Sequence, residues 1–277
     1  MVPQLGRFGV WRRDADLSPG LAAGLEHLGY GAIWVGGSPS GDLAVPDVLL
    51  AATKDLVVAT GIVNIWKDDA ATVARSYHRL EGRYPGRFLL GIGAGHREQF
   101  GEYVRPYEAL RQYLDVLDAA EVPVERRVLA ALGPRVLRLA AERSAGAHPY
   151  FTTPDHTREA RDVLGPDKVL APEQKAVLDP DPAAARELAR PMLAMYLGLT
   201  NYVNNFRRMG FTDSDFAAGG SDRLVDALVA HGDPATVARR IVEHLDAGAD
   251  HVAVQLLTSP GADPLDGYAE LARVLTA

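Results

Sequence analysis

Three helix-to-strand connections of similar sequence constrain the fold of this 277-residue chain more than any other feature. In each of them a turn of small residues that includes glycine follows a predicted helix and leads into an apolar strand; they lie at residues 28–33, 144–148 and 246–252. Glycine ends a helix readily because it adopts the left-handed backbone conformation without a steric penalty. One connection used repeatedly among alternating helices and strands predicts a parallel α/β fold.

The expected architecture is a (β/α)8 TIM barrel, with an open doubly wound sheet as the alternative. Eight apolar segments supply the predicted strands, at residues 7–11, 32–35, 56–63, 88–92, 128–132, 147–151, 169–177 and 251–257. Helical patterns between them predict helices at residues 21–28, 45–53, 71–81, 107–120, 134–143 and 157–164.

A longer stretch between the seventh and eighth predicted strands interrupts this alternation. Residues 179–232 predict additional helices at 182–190, 192–208 and 222–231. On the catalytic side of a barrel such an insertion supplies a lid or a substrate wall, or it adds helical packing alone. We therefore expect a single domain over residues 1–277 with a helical insertion at approximately 179–232.

Composition excludes several classes of function. The formal net charge is −7 and the basic residues are interspersed with carboxylates, which argues against a nucleic-acid partner. Cysteine is absent, so the sequence has no disulfides or thiolate sites, and no metal-binding pattern such as H-E-x-x-H occurs. No apolar run approaches the roughly 20 residues of a membrane span, and residues 1–4 do not begin a signal peptide. The expectation is a cytoplasmic protein without a membrane partner.

Residues 86–96 carry the strongest functional signal. The apolar run Phe88–Ile92 is typical of a strand buried on both faces, and His96 stands where an α/β barrel places its chemistry. Three glycines stand at alternate positions before that histidine: Gly91, Gly93 and Gly95. A dinucleotide-binding G-x-G-x-x-G motif is disfavoured because His96 replaces its third glycine. The segment predicts a cofactor site of another kind.

Four segments together resemble the luciferase-like flavin and deazaflavin oxidoreductases. They are residues 59–64, 86–96, 130–134 and 248–250. The resemblance spans nearly the whole chain and is strongest to the branch that uses the deazaflavin coenzyme F-420. It implies an oxidoreductase that transfers a hydride between coenzyme F-420 and a small organic substrate. The alternatives are an FMN-dependent luciferase-like monooxygenase and a non-catalytic flavin-binding barrel.

The resemblance implies that the end of the third predicted strand holds the cofactor ring. Family members carry a bulge with a non-proline cis peptide there, and Gly61–Ile62 falls at this place. Asn64 would then offer its amide to the polar edge of the ring or to the substrate. Gly93 and Gly95 would let the ring and its side chain approach the neighbouring strand.

Further positions follow from the same resemblance. The amides of Leu132 and Gly133, just before a predicted helix, would hold the cofactor phosphate. His96 occupies the position from which some deazaflavin enzymes present an acidic group, which makes it the predicted catalytic acid or base. Ser38 stands where several members have a histidine; its hydroxyl can contact the cofactor but is no base at neutral pH.

Three aromatic residues are the predicted walls of a substrate pocket. Trp11 ends the first predicted strand, Trp66 follows the predicted bulge, and Tyr202 belongs to the insertion. Each of them has core packing as its alternative role. Such a pocket favours an uncharged or amphipathic small molecule, and the resemblance implies a homodimer. The sequence does not indicate the identity of the substrate or the direction of hydride transfer.

Overall fold

Parallel strands alternate with helices in the computed structural model, which describes residues 1–95, 105–259 and 261–275. The strands are β1 (Phe8–Arg13), β2 (Ala32–Gly36), β3 (Val57–Gly61), β4 (Val63–Asn64), β5 (Phe88–Gly93), β6 (Arg127–Leu129), β7 (Gly146–Ala147), β8 (Val169–Leu170), β9 (Glu173–Val177), β10 (Val229–His231) and β11 (Val252–Leu256). The helices are α1 (Pro19–His27), α2 (Ala44–Ala51), α3 (Ala70–Arg83), α4 (Pro106–Ala119), α5 (Pro134–Arg143), α6 (Pro154–Leu164), α7 (Pro182–Leu197), α8 (Thr200–Arg208), α9 (Asp213–Phe216), α10 (Asp222–Leu228), α11 (Pro234–Asp246) and α12 (Pro264–Leu275).

The strands form one curled parallel sheet. Their order of hydrogen-bonded neighbours is β10-β9-β11-β1-β2-β3-β5-β6-β7-β8, and β4 pairs with β5 beside this path. Only Ala171 and Pro172 separate β8 from β9, and β8 pairs with β7 while β9 pairs with β11. The predicted α/β class is confirmed, and the curled sheet is consistent with a TIM-like barrel.

Alternate residues along the strands face two different layers, as the pleat of a strand requires. Val10 and Ile33 belong to a large apolar cluster that also contains residues of the surrounding helices. Trp11, Ala32 and Trp34 belong to a separate cluster that contains no helix residue of the described chain. The second set therefore occupies the inner face of the curled sheet, and its last members reach the site described below.

The helices predicted outside the insertion are found with their ends within three residues of the expected positions. Polar side chains cap several of them, as at α1, where the Ser18 hydroxyl accepts a hydrogen bond from the Leu21 amide at 3.2 Å. Two strands are shorter than predicted, because β6 ends at Leu129 and β7 ends at Ala147. The residues that follow these two strands form loops, and those loops carry side chains of the site.

The insertion differs from its prediction in two ways. Helix α7 passes through Pro191 and ends at Leu197, because Ala185, Ala189 and Leu193 on its apolar face are buried against the neighbouring helices. Residues 229–231 form β10 instead of the end of a helix, since they pair with β9. The inserted helices enclose an apolar cluster of their own, which includes Phe151 from the loop after β7.

None of the helices in the described ranges combines the length and the apolarity that crossing a membrane requires. In the same ranges, no cluster of three or more histidine and acidic side chains is arranged to hold a metal ion.

Candidate functional site

The third strand is bulged where it meets the site. Ala59 of β3 pairs with Leu89, an offset of 30 residues, whereas Val63 of β4 pairs with Ile92, an offset of 29. The β3–β4 segment therefore contains one residue more than the facing part of β5. An additional residue of this kind forms a β-bulge, which bends the strand and redirects the side chains around it.

The alternating glycines in β5 and directly after it make room for this bulge. Cβ atoms placed on Gly91, Gly93 and Gly95 would lie 1.8, 3.0 and 2.2 Å from atoms of Thr60, Ile62 and Asn64, respectively. Real Cβ atoms do not approach other atoms at the two shortest of these distances. Gly91 and Gly95 thus allow one strand to pack closely against the other, and the role of Gly93 and Gly95 beside the cofactor stays a prediction.

A cavity of about 750 Å³, which we call the strand-end cavity, opens beside the bulge. Its volume is in the usual range for small-molecule and cofactor sites. The peptide bond between Gly61 and Ile62 faces it and is cis, so the cis bond that the resemblance implied is confirmed. Most of the predicted site residues line this cavity: Trp11, Ser38, Gly61, Ile62, Gly95, Leu132, Gly133 and Tyr202.

Other predicted residues lie behind the cavity wall. Gly93 is buried under Ile62, and Asn64 is 1% exposed, with its Oδ1 accepting a hydrogen bond from the Trp66 amide at 3.0 Å. The indole Nε1 of Trp66 donates to the Ala94 carbonyl at 2.7 Å. These contacts hold the loop that follows the bulge, and the roles assigned to the three residues in binding stay predictions.

His96, the predicted catalytic residue, lies outside the described residues. Its role as acid or base therefore stays a prediction as well.

One end of the cavity, which we call the aromatic end, is formed by Trp11, Tyr150, Tyr196 and Gln255. The rings of Trp11 and Tyr150 have centroids 5.0 Å apart, and those of Tyr150 and Tyr196 are 5.5 Å apart. The Tyr150 hydroxyl donates a hydrogen bond to Gln255 Oε1 at 2.8 Å. Rings and a bound amide give this end a mainly apolar surface with a small number of oriented polar atoms.

A buried ion pair supports the aromatic end from below. Lys175 and Glu173 of β9 are both fully buried, and the Lys175 Nζ lies 3.1 Å from each carboxylate oxygen of Glu173. The same Nζ lies 3.7 Å from the centre of the Tyr150 ring and 3.9 Å from that of Phe151. Burial lowers the pKa of Lys175 to about 8, and Glu173 opposes that shift. The pair anchors the loop that presents Tyr150.

A histidine in the floor of the cavity is held neutral. The His148 ring stacks on Trp34, with centroids 4.0 Å apart and planes 10° apart. Its Nδ1 donates to the Ala171 carbonyl at 2.7 Å, so the lone pair of this histidine is on Nε2. Burial lowers the pKa of His148 to about 3. At neutral pH this side chain can accept a hydrogen bond but carries no proton to transfer from Nε2.

A second part of the cavity, which we call the cationic end, is formed by Gly133, Arg135 and Arg208. Gly133 is the N-cap of the ten-residue helix α5, whose first residue, Pro134, has no N–H and whose Val136 amide donates to the Gly133 carbonyl at 3.1 Å. The guanidinium of Arg208 lies 3.4 Å from where a Cβ of Gly133 would be, and its Nη2 donates to Asn205 Oδ1 at 2.7 Å. Arg135 stacks on the Tyr107 ring at 3.7 Å.

The charge of the lining is one-sided. Arg13 and Lys67 join Arg135 and Arg208, whereas no carboxylate belongs to the lining among the residues that the structure describes. This arrangement occurs in a chain whose formal net charge is −7. A site of this kind attracts an anionic group, and the amides of α5 add to that attraction.

Four of the cavity residues described above were not predicted from the sequence: Tyr150, Gln255, Arg135 and Arg208. Gln255 could have been predicted, because it stands two residues after Ala253 in β11 and therefore faces the same inner side of the sheet. Arg208 could not have been predicted, because the local sequence does not indicate which way the charged face of an inserted helix points.

A family model described as luciferase-like monooxygenase matches residues 18–125. A comparison with curated proteins finds no significant match.

Three solved structures illustrate the likeness in fold. An F-420-dependent secondary alcohol dehydrogenase in complex with an F-420–acetone adduct is 16% identical, with a TM-score of 0.76 over 100% of this chain and 99% of that one. The coenzyme F-420-dependent tetrahydromethanopterin reductase from Methanopyrus kandleri is 19% identical, with a TM-score of 0.78 over 98% of each chain. The oxygenating constituent of 3,6-diketocamphane monooxygenase from Pseudomonas putida, in complex with FMN, is 16% identical, with a TM-score of 0.63 over 98% and 95%.

At these identities the solved structures establish the fold alone. The family model adds a match in sequence over the segment that contains the bulge, the glycines of β5 and the wall at Gly61–Ile62. The resemblance indicated by the sequence motifs is thereby confirmed: the chain has the fold of the luciferase-like superfamily, and its residues 18–125 match the luciferase-like monooxygenase family.

Proposed function

We propose that this protein is an oxidoreductase that transfers a hydride between the deazaflavin coenzyme F-420 and a small, uncharged organic substrate. The observation that carries the proposal is the two-ended cavity, in which the wall at Gly61–Ile62 accompanies an aromatic end and a cationic end. An elongated cofactor with a planar ring and an acidic tail is complementary to that arrangement. The two F-420-dependent structures, with TM-scores of 0.76 and 0.78, support this choice of cofactor.

Gly61 and Ile62 would hold the cofactor ring. Gly61 leaves space there, since a Cβ at this position would lie 2.8 Å from Trp11 Nε1 and 3.1 Å from His148 Nε2. Both of these nitrogens are buried and lack a hydrogen-bond partner within the described part of the chain. When bound, the deazaflavin ring supplies the carbon that accepts or donates the hydride.

The acidic tail of the cofactor would lie at the cationic end. The amides of Leu132 and Gly133 would contact its phosphate at the start of α5, and Arg135 and Arg208 would pair with its negative charges. Asn205 orients Arg208 through the hydrogen bond at 2.7 Å, and Asn205 itself is fully buried. A guanidinium held in this way loses little conformational entropy when it binds an anion.

Proton transfer to or from the substrate is assigned to His96. His148 does not fill this role at neutral pH because burial lowers its pKa to about 3. Ser38 lines the cavity, and its carbonyl accepts a hydrogen bond from Lys67 Nζ at 2.8 Å. In this proposal Ser38 contacts the cofactor through polar atoms without acting as a base.

We further propose that the chain is one (β/α)8 barrel domain in which the insertion forms a wall of the substrate pocket. Tyr196, Tyr202 and Arg208 reach the cavity from the inserted helices α7 and α8. A homodimer is the expected assembly, which light scattering after size-exclusion chromatography tests against the chain mass of 29.8 kDa. A mass equal to one chain would contradict that part of the proposal.

A cofactor titration tests the proposal directly. Apo-protein is titrated with oxidised coenzyme F-420 and, separately, with FMN, while the quenching of cofactor and tryptophan fluorescence is followed. We expect coenzyme F-420 to bind at least about tenfold more tightly than FMN, because its acidic tail engages more of the cationic end. Tight FMN binding with indifference to coenzyme F-420 would instead support the FMN-dependent monooxygenase.

Turnover separates the enzyme from a binding protein. With coenzyme F-420 bound, oxidation or reduction of neutral alcohols and carbonyl compounds is followed by the absorbance of the cofactor. Cofactor binding without redox activity toward any of them would favour the non-catalytic flavin-binding barrel.

A further inference from the structure

Gln255 is the polar side chain of the aromatic end whose surroundings give it a defined orientation. It is 6% exposed, it belongs to the lining of the strand-end cavity, and it lies at the carboxyl end of β11 beside Trp11 of β1. Its Oε1 accepts the hydrogen bond of the Tyr150 hydroxyl at 2.8 Å. Because the oxygen is engaged, the amide nitrogen is the atom left for a ligand.

The donor of that hydrogen bond is itself held in place. Tyr150 is hydrogen-bonded to Tyr196 and lies with its ring 3.7 Å from Lys175 Nζ. Glu173, which pairs with Lys175, also accepts a hydrogen bond from the Phe151 amide at 3.0 Å. The orientation of the Gln255 amide is therefore connected, through one hydrogen bond and one cation–π contact, to the buried ion pair of β9.

The chemistry of this amide and of its surroundings determines which kind of ligand atom it can bind. An amide N–H donates, so its partner is an oxygen or another acceptor atom. Arg13, which also lines the cavity, acts through its charge on Tyr196, so this end disfavours an ammonium group. A neutral acceptor flanked by carbon is thus a better match at this end than an ammonium group.

We infer that Gln255 is a substrate-specificity residue that binds the carbonyl or hydroxyl oxygen of an uncharged substrate between Trp11, Tyr150 and Tyr196. Tyr150 acts as a positioning residue that turns the amide nitrogen toward the substrate. The inference rests on the proposed function, since it places the substrate at the aromatic end and the cofactor tail at the cationic end. A substrate bound here lies next to Trp11, which adjoins the ring wall at Gly61.

The test uses cyclohexanone, a neutral acceptor, and cyclohexylamine, a cation of the same ring size at neutral pH. Binding to the full-length protein is measured by tryptophan fluorescence and by saturation-transfer NMR. Wild-type protein is expected to prefer cyclohexanone. Gln255→Met removes the donor and should weaken cyclohexanone about three- to tenfold, the effect of one hydrogen bond. Gln255→Glu replaces the donor by a carboxylate and should reverse the preference in favour of cyclohexylamine.

The controls separate specificity from general damage. Gln4→Glu adds the same charge at an exposed position and should leave the preference of the wild type unchanged. Tyr150→Phe, which keeps the ring but frees the amide, should reduce the preference for cyclohexanone without reversing it. Thermal unfolding of each variant verifies that it is folded at the temperature of the binding measurement.

Two outcomes would overturn the inference. One is equal affinity of cyclohexanone for wild-type protein and both Gln255 variants, and the other is a wild-type protein that binds cyclohexanone no better than cyclohexylamine. Titration of the same samples with coenzyme F-420 tests the proposed function independently. Wild-type protein that does not bind coenzyme F-420 would contradict the proposed cofactor. The Gln255 variants are expected to bind coenzyme F-420 with the affinity of the wild type.

Discussion

The two ends of the strand-end cavity are built in different ways. The aromatic end consists of side chains from strand ends and the loops next to them, and its polar atoms are bound by buried neighbours such as Tyr150 and the Glu173–Lys175 pair. The cationic end consists of Arg135 and Arg208, which are exposed residues on helices. Fixed geometry discriminates between ligands of similar size, whereas exposed charge attracts anions and is screened by salt. Conditions and substitutions should therefore affect the two ends separately.

Acid is expected to have the largest effect, because it acts on histidines that are buried in the folded chain. Burial lowers the pKa of His148 and of His244 to about 3 and that of His251 to about 4, whereas an unfolded histidine has a pKa near 6.5. Below pH 6.5 the unfolded chain therefore binds more protons than the folded chain, so stability falls as the pH falls. Each histidine should contribute a loss of about 2 kcal/mol at pH 5.

Urea unfolding at pH 7 and pH 5 measures this loss. His251→Gln removes one of these three histidines and should make the free energy of unfolding less dependent on pH. His27→Gln changes an exposed histidine and should leave that dependence unchanged. An unfolding free energy of wild-type protein that is equal at the two pH values would contradict the prediction.

The wall between the ends depends on a glycine of β5. Gly91→Ala would place a Cβ 1.8 Å from the Thr60 carbonyl oxygen, so the bulge must shift, and we expect a loss of about 3 kcal/mol in the free energy of unfolding. Gly82→Ala is the matched control, because no atom lies within 4 Å of its new Cβ and it lies inside α3. This control should raise stability by up to about 1 kcal/mol. Similar values for the two variants would show that the bulge does not need Gly91.

At the cationic end, Arg208→Ala should lower the affinity for coenzyme F-420 about tenfold, because it would remove the proposed charge-assisted contact with the acidic tail. The dependence of cofactor affinity on salt should decrease in the same variant. Arg207→Ala serves as the control, since Arg207 is on the same helix but pairs with Asp213 at 2.8 Å. Equal losses in the two variants would place the tail away from Arg208.

The smallest effect is expected from one hydroxyl at the aromatic end. Tyr150→Phe should lower the affinity for cyclohexanone about threefold, since it releases the Gln255 amide from its hydrogen bond. The affinity for coenzyme F-420 should not change, because the proposed site of its tail is the cationic end. Fluorescence titration with both ligands measures the contrast, and a parallel loss for both would remove the distinction between the ends.

The sequence predicted the backbone of this site better than its chemistry. Apolar runs such as Phe88–Ile92 identify buried strands because such strands need apolar residues on both faces. The position of Gly61–Ile62 came from resemblance, since no local rule predicts a non-proline cis peptide. Trp11 and Tyr202 were placed at the cavity by the same combination of strand order and family likeness.

The remaining features depend on contacts between distant segments. Arg208 reaches the start of α5 because of the way the inserted helices pack. Phe151 and Leu193 both belong to the apolar cluster that these helices enclose. Residues 229–231 become a strand because β9 lies next to them, not because of their own pattern. Tertiary packing of this kind overrides local propensity, so a prediction made segment by segment misses it.

The alternating glycines of β5 have a consequence for reading other chains. They record a shift in strand register, since each of them faces a residue of the bulged segment at positions 60, 62 and 64. Three alternating glycines after an apolar run therefore indicate a bulged neighbouring strand only when the segment about thirty residues earlier is considered with them. Without that segment, the same glycines could equally belong to a phosphate-binding loop. In a new sequence, finding both parts would locate a bulged strand at a barrel mouth before any cofactor is known, and would distinguish it from a phosphate-binding loop.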